Sequence, residues 1–371
     1  MAKQVLITGG AGFIGSHLTD ELIRHNCHVR VLDNLSEQVH GPGAKRPQYL
    51  AKEVELIVGD VCDAMTVRDA LDGVDCVFHF AACVGVGQSM YEIARYTAVN
   101  NYGTAILLEE LIEHPVRKLV VASSMSIYGE GLYKDAAGNI CPTAGRNIAQ
   151  LKAGLWDIGD DAGSALIPAA TPESKVSCLN SIYALSKFDQ EQMCLIFGNA
   201  YGLDTTALRF FNVYGTRQAL SNPYTGVLAI FISRLLNNKA PLIYEDGRQL
   251  RDFISVHDVA RACRLVMDSS RAAGEVFNIG SGQKYPIQQI ATRLAAEMGK
   301  NIKPEITGKY RVGDVRHCFA DITKAREVLG FSPQVPFEHG IMELVEWVKS
   351  QHAIDKAEQA VGELDRRKLM I

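Results

Sequence analysis

Short apolar runs alternate with longer helical stretches along the first third of the chain. Val5 to Thr8 is a continuous apolar run, and Leu18, Leu22 and Ile23 then recur at the spacing of one helix face. His28 to Leu32 and Val54 to Val58 predict two more strands, and Val67, Ala70 and Leu71 mark a helix. Cys76 to Ala82 predicts a fourth strand, Ile93 to about Glu113 a long helix, and Leu119 to Ala122 a fifth strand. Strands apolar on both faces and separated by helices predict a parallel sheet covered on both sides, the doubly wound α/β architecture.

The rhythm breaks after Gly129. Residues 130–178 are rich in Gly, Ala, Pro, Asp and Ser and show little periodicity, which predicts a surface insertion with loop tips at 141–145 and 159–163. Regular structure resumes with a helix from Ile182 to about Ala200 and a strand from Thr205 to Asn212. Helices are expected near Val227–Asn237, from His257 and over Ile287–Met298, with a short strand at Val276–Ile279. The tail, Phe337–Lys349 and Ile354–Leu369, is amphipathic and charged.

Composition narrows the classes. The 371 residues are 47% hydrophobic and carry a net charge of −4, so neither nucleic acid nor an anionic membrane surface is an expected partner. The longest strictly apolar run, Val227 to Ile232, is far short of the roughly 20 residues of a membrane span. The N-terminal residues lead straight into Val5-Leu6-Ile7, unlike a secretory signal. Nine dispersed cysteines without Cys-x-x-Cys spacing suggest reduced thiols and a cytoplasmic location. Cys141 stands alone at its loop tip, so no metal site is expected.

Chemistry enters at Thr8-Gly9-Gly10-Ala11-Gly12-Phe13-Ile14-Gly15, between the first strand and the first helix. Glycines there permit a tight turn and let main-chain amides approach a pyrophosphate at a helix N-terminus. Asp33 ends the second strand, where a carboxylate can accept both adenosine ribose hydroxyls and repel a 2′-phosphate, favouring NAD over NADP. Asp33-Asn34 is also good turn chemistry. Asp60-Val61 follows the third strand, where an adenine contact would lie.

A second constellation is Tyr183-Ala184-Leu185-Ser186-Lys187. Positions i and i+4 share a helix face, and an ammonium near a phenol lowers the phenol's pKa. Such a tyrosine can shuttle a proton at a hydroxyl-bearing carbon. Ser123-Ser124 ends the fifth strand, at the edge of a parallel sheet that faces the ligand crevice.

These stretches, with His79-Phe80-Ala81-Ala82, Val99-Asn100, Arg209–Gly215 and Arg251-Asp252-Phe253, resemble the extended short-chain dehydrogenase/reductases of the nucleotide-sugar epimerase/dehydratase family. The resemblance implies a Rossmann domain over 1–213 that binds NAD and carries the insertion. It also implies a smaller C-terminal substrate-binding α/β domain over 214–371, some of whose segments return to the sheet. It makes Ser124, Tyr183 and Lys187 the catalytic trio and puts Phe80, Ala81, Ala82, Asn100 and Lys187 beside NAD. Asn212, Arg251 and Arg311 match diphosphate-binding positions, Asp314 a ribose-contacting acid and Tyr244 an aromatic near the base; Ser126 and Arg217 join the expected substrate contacts. A homodimer through helices near Ile93–Glu113 and Ile182–Ala200 is implied as well.

The turn Ser124-Met125-Ser126 separates the possible reactions. Dehydratases of the family resemble this stretch but carry Asp-Glu after the hydroxyl residue, and decarboxylases keep the Glu. Methionine and serine cannot supply that acid and base. Epimerisation at C4 of a UDP- or dTDP-linked sugar is the expectation that remains. Arg217-Gln218-Ala219 lacks the second Arg of some hexuronate epimerases, so a neutral hexose or 6-deoxyhexose is expected. The insertion resembles that of epimerases acting on dTDP-linked 6-deoxyhexoses such as dTDP-L-rhamnose. It separates Ser124 from Tyr183 by 59 residues, and an overhang of the sugar pocket is expected.

Overall fold

Seven parallel strands form the central sheet of the computed structural model, which describes residues 3–141, 145–160 and 163–371. They are β1 (Gln4–Thr8), β2 (His28–Asp33), β3 (Glu55–Val58), β4 (Cys76–His79), β5 (Lys118–Ser124), β6 (Asp204–Phe210) and β7 (Val276–Ile279), in the order β7-β6-β5-β4-β1-β2-β3. Alternation along each strand divides the side chains between two cores. Val5, Ile7, Phe78 and Val120 enter one cluster, and Leu6, Val77, Leu119 and Val121 enter the other. Both faces are therefore dry, as the unbroken apolar runs predict. Strand order reverses beside β1, where Thr8 pairs with Leu32 on one side and His79 on the other. A crevice opens at the carboxyl ends there.

The long helix is present over Ile93–Glu113, but its turn Thr97–Tyr102 is π-helical. The helix Ile182–Tyr201 begins at Ser181, whose side chain caps the N–H of Ala184. The expected strand Thr205–Asn212 breaks at Phe211, and Asn212–Tyr214 pairs instead with Phe253–Ser255.

Beyond residue 214 a separate cluster gathers Leu228, Phe231, Ile232, Leu294, Ile341 and Leu344. The helix Val256–Asp268 returns to the sheet, giving Val259, Cys263 and Val266 to the first core. Among the described residues no helix is long and apolar enough to cross a membrane, and no group of three or more His, Cys, Asp or Glu could hold a metal ion.

The insertion is more than a loop. Leu132–Lys134 pairs antiparallel with Ile140–Cys141 and with Ile167–Ala169, beside a short helix Ile148–Lys152. Tyr133, Ile158 and Leu166 form its small core. Three apolar side chains spread over more than thirty positions leave no periodicity to read in the sequence. The two expected loop tips include 142–144 and 161–162, which lie outside the described residues.

Candidate active site

A cleft of about 650 Å³ runs along the carboxyl ends of the strands into the C-terminal part of the chain. It is lined by the glycine turn, Asp33, Asn34, Asp60, Val61, Phe80, Ala81 and Ala82 at one end, and by Tyr244, Arg251, Arg311 and Asp314 at the other. Ser124, Ser126, Tyr183, Lys187 and Asn212 lie on its wall between them.

The dinucleotide end follows from backbone geometry. Gly9 has φ +70, and a Cβ there would stand 2.8 Å from the Ala81 nitrogen. At Gly15 a Cβ would meet the Gly9 carbonyl oxygen at 2.5 Å, so helix and turn touch directly. Gly12 differs. Its Cβ would meet only the Gly9 oxygen, at 3.3 Å, and the space beyond belongs to the cleft. As N-cap of the helix Phe13–Arg24 it brings no capping side chain, which leaves the helix terminus to an anionic ligand.

Asp33, almost buried, accepts the N–H of Ala11 at 3.0 Å and that of Leu35 at 2.9 Å, one on each oxygen. Each oxygen keeps a lone pair for a ribose hydroxyl. Asn34 donates to Asp60, which also accepts the Cys62 N–H. Burial works to raise the Asp60 carboxyl, yet these hydrogen bonds hold it below its ordinary value. The turn, the acid and the open space at Gly12 fit NAD.

At the centre, Ser124 ends β5 and caps the short 3-10 turn Met125–Tyr128. Its Oγ accepts both the N–H of Ser126 at 3.1 Å and the hydroxyl of Ser126 at 3.0 Å. With both lone pairs occupied, the Ser124 hydroxyl proton is left to donate outward. Tyr183 is half-buried and its ring packs edge-on to Tyr96. Burial raises its phenol pKa, and hydrogen bonding by Ser124 opposes the rise.

The expected action of Lys187 on this phenol is not seen. The ammonium donates instead to Gln190 Oε1 at 2.7 Å, and burial takes its pKa down to about 8. Gln190 passes the bond on to Thr104 at 2.9 Å, and Thr104 contacts His79 at 2.8 Å. His79 in turn contacts Thr8, whose hydroxyl takes the N–H groups of Phe80 and Ala81. Burial and Lys187 push His79 down to about 3, so it is neutral. One chain of hydrogen bonds thus joins the lysine to the glycine-turn strand. Beneath it, Arg209 forks onto Glu191 at 2.6 and 2.9 Å, and Ser123 donates to the same carboxylate at 2.6 Å.

Two expected site residues are not brought to the cleft lining. Asn100 is fully buried on the π-helical turn, where its amide brackets the main chain of Cys83 and donates to Ser186. Arg217 binds Asp20 at 2.7 Å and stands 5.1 Å over the ring of Tyr49, whose hydroxyl donates to the Ala11 carbonyl. An ion pair to the first helix takes up the guanidinium that sequence reading assigned to substrate.

At the far end, Arg311 is paired with Asp314 and lies 5.9 Å from the centre of the Tyr244 ring. Arg251 donates to the carbonyls of Leu250 and Arg316. Asp252, fully buried, accepts Ser281, Gly282 and Ala320. Burial carries its pKa up to about 6.

Sequence reading missed Gln190, though its i+3 spacing from Lys187 is a usable signal. It also missed a bridge across the cleft, Gln38 to Gln88 at 2.9 Å and Gln38 to Asn222 at 3.2 Å, for which no local pattern exists.

The family model described as the NAD dependent epimerase/dehydratase family matches residues 5–144 and 160–280. A dTDP-L-rhamnose 4-epimerase of Burkholderia thailandensis is 37% identical over 94% of this chain and 96% of its own. A UDP-N-acetyl-alpha-D-glucosaminuronate decarboxylase of Bacillus cytotoxicus is 30% identical over 94% and 98%. Among solved structures, a UDP-glucose 4-epimerase of Thermotoga maritima with UDP-glucose superposes with a TM-score of 0.76 at 32% identity, covering 93% of this chain and 98% of its own. With the glycine turn, the Tyr-x-x-x-Lys helix and the doubly wound sheet in one cleft, the chain belongs to the NAD-dependent epimerase/dehydratase family.

Proposed function

We propose that the protein interconverts C4 epimers of a nucleoside-diphosphate sugar, a UDP- or dTDP-linked hexose or 6-deoxyhexose, through a 4-keto sugar. The observation that carries this reading is the turn after Ser124. Met125 and Ser126 occupy the cleft wall where water loss or decarboxylation needs an acid–base pair.

Tyr183, in its phenolate form, takes the proton of the 4-hydroxyl. Ser124, its lone pairs filled by Ser126, hydrogen-bonds the same sugar oxygen and keeps its own proton. Lys187 is held by Gln190 as a buried cation beside them. A bound NAD supplies hydride acceptance and return at C4, with no net redox change. Asn212, Arg251 and Arg311 take the diphosphate, Asp314 the ribose, Tyr244 the base and Ser126 the sugar. Residues 1–213 bind the dinucleotide, and most of 214–371 binds the substrate.

The same reading includes a homodimer. Tyr102 and Ile112 on one long helix, and Ile196 and Tyr201 on the other, are exposed apolar side chains that a second copy would cover. Sedimentation at monomer mass in the micromolar range would remove it.

A panel of UDP-, dTDP-, GDP- and CDP-sugars, with products resolved by NMR, tests the chemistry. The expected product is a C4 epimer formed without consumption of added NADH. A lyase or reductase is the second reading, favoured by the decarboxylase relative. A 4-keto-6-deoxy or decarboxylated product, or stoichiometric NADH oxidation, would replace epimerisation.

A further inference from the structure

The insertion joins the two catalytic segments, and its described residues do not line the cleft. Among the described residues the cleft lining passes from Ser126 to Asn180 with nothing between. Many contacts of 130–178 run into the chain that carries Tyr244, Arg311 and Asp314. Glu130 is buried and accepts the N–H of Arg316 on both oxygens at 2.8 Å, and that of His317 at 3.2 Å. The Gly131 N–H returns to the His317 carbonyl at 2.8 Å, and Thr171 pairs with Phe319 and Asp321.

Arg146 is the centre of this seam. Its side chain is 1% exposed. Nε reaches Glu130 at 3.1 Å, Nη1 reaches Glu245 Oε1 at 2.8 Å, and Nη2 reaches the Asp314 carbonyl at 3.3 Å. The guanidinium also lies 5.0 Å from the centre of the Tyr310 ring. From the opposite side Arg316, fully buried, reaches Glu245 Oε2 at 2.8 Å and Asp157 of the insertion at 2.8 Å. Glu245 is thus gripped through both oxygens, one by each arginine. Its backbone has φ +52, a left-handed conformation uncommon outside glycine and asparagine, which persists only where the surroundings over-determine it. Tyr244 precedes it directly, and Asp314 is held through its own carbonyl.

We infer that Arg146 is a positioning residue for the nucleotide end of the site: through Glu245 and the Asp314 carbonyl, the insertion fixes the wall on which the nucleoside diphosphate binds, without touching it. The inference rests on reading the cleft as a nucleotide-sugar site. A fork reaching four acceptors, the Trp156 carbonyl among them, suits arginine, because lysine would serve only as a point charge. Removing Arg146 alone would leave buried carboxylates uncompensated, so the test pairs the changes.

Glu130→Gln/Arg146→Gln removes one charge of each sign, and Arg146→Lys keeps the charge without the fork. Both are prepared as the full chain with its bound NAD. UDP and dTDP are titrated by calorimetry, and kcat and KM are measured for the nucleotide sugar that the wild type turns over. In the double variant the Kd of the nucleotide and the KM rise about tenfold, while kcat and NAD content stay within about twofold; Arg146→Lys falls between. Wild-type protein that binds neither UDP nor dTDP overturns the reading of the cleft and this inference with it. Nucleotide binding in the wild type, with Kd unchanged in the variants, overturns the positioning role alone. Parallel loss of kcat, NAD and nucleotide would assign Arg146 to stability only; should the double variant not fold, the Kd of Arg146→Lys decides.

Discussion

The ammonium of Lys187 is bound by the amide oxygen of Gln190, one helical turn further along, at 2.7 Å. This bond keeps a buried cation in place on the helix that carries Tyr183. Removing it in Gln190→Leu leaves the charged form with less support. The lysine then titrates lower, and kcat/KM at neutral pH falls about tenfold. A pH profile of the variant with its alkaline limb unmoved would exclude the role.

The pH dependence of the wild type follows from the same group. Burial brings Lys187 from its ordinary 10.5 to about 8, so activity that needs the ammonium declines as pH rises through about 8. Stability moves the other way. Between about 8 and 10.5 the unfolded chain holds a proton that the folded chain has released, so this group's contribution to stability rises with pH over that window. Chemical denaturation against pH, compared with Lys187→Met, isolates it.

Tyr183→Phe removes the proton carrier and little volume. Turnover falls about 10²- to 10⁴-fold while bound NAD is retained. Absorbance of the released cofactor after denaturation, set beside the rate, checks both halves. A variant with full turnover would leave the proposed mechanism without its base.

The glycines of the first turn separate by what surrounds them. Gly12→Ala meets only one oxygen, at 3.3 Å, so it folds normally and weakens NAD. Gly15→Ala drives a Cβ to 2.5 Å from the Gly9 oxygen and costs about 1–3 kcal/mol of stability as well. Equal melting temperatures for the two variants would contradict this division.

Beneath the site, Arg209 and Glu191 form a buried, forked pair. Arg209→Met leaves the carboxylate uncompensated and costs about 3–5 kcal/mol. Urea unfolding measures it, and a loss below about 1 kcal/mol would show that Glu191 finds another partner.

What the sequence discloses is what repeats or clusters locally. Val5-Leu6-Ile7 is apolar at every position because alternate residues feed two cores, and that pattern is legible without coordinates. Gly9, Gly12 and Gly15, or Tyr183 and Lys187, are also local. Arg217 shows the limit: its partners Asp20 and Tyr49 are far away in sequence, so no spacing reveals these contacts. The pKa of Tyr183 is a second case. Its i+4 lysine predicts a lowered phenol, but burial of the ring and capture of the ammonium by Gln190 decide otherwise. The fold of 130–178 stayed hidden because its stability is shared with residues 316–321.

The carboxylate of Glu130 and the main-chain N–H of Arg316 lie 186 positions apart. A polypeptide emerging from the ribosome makes the first of these long before the second. Until the later segment appears, the inserted subdomain lacks its hydrogen-bond partners at residues 316–321. Assembly is therefore ordered by translation, with the glycine turn and its neighbouring strands available first. Chains that terminate before residue 316 would retain an exposed seam and become substrates for quality control.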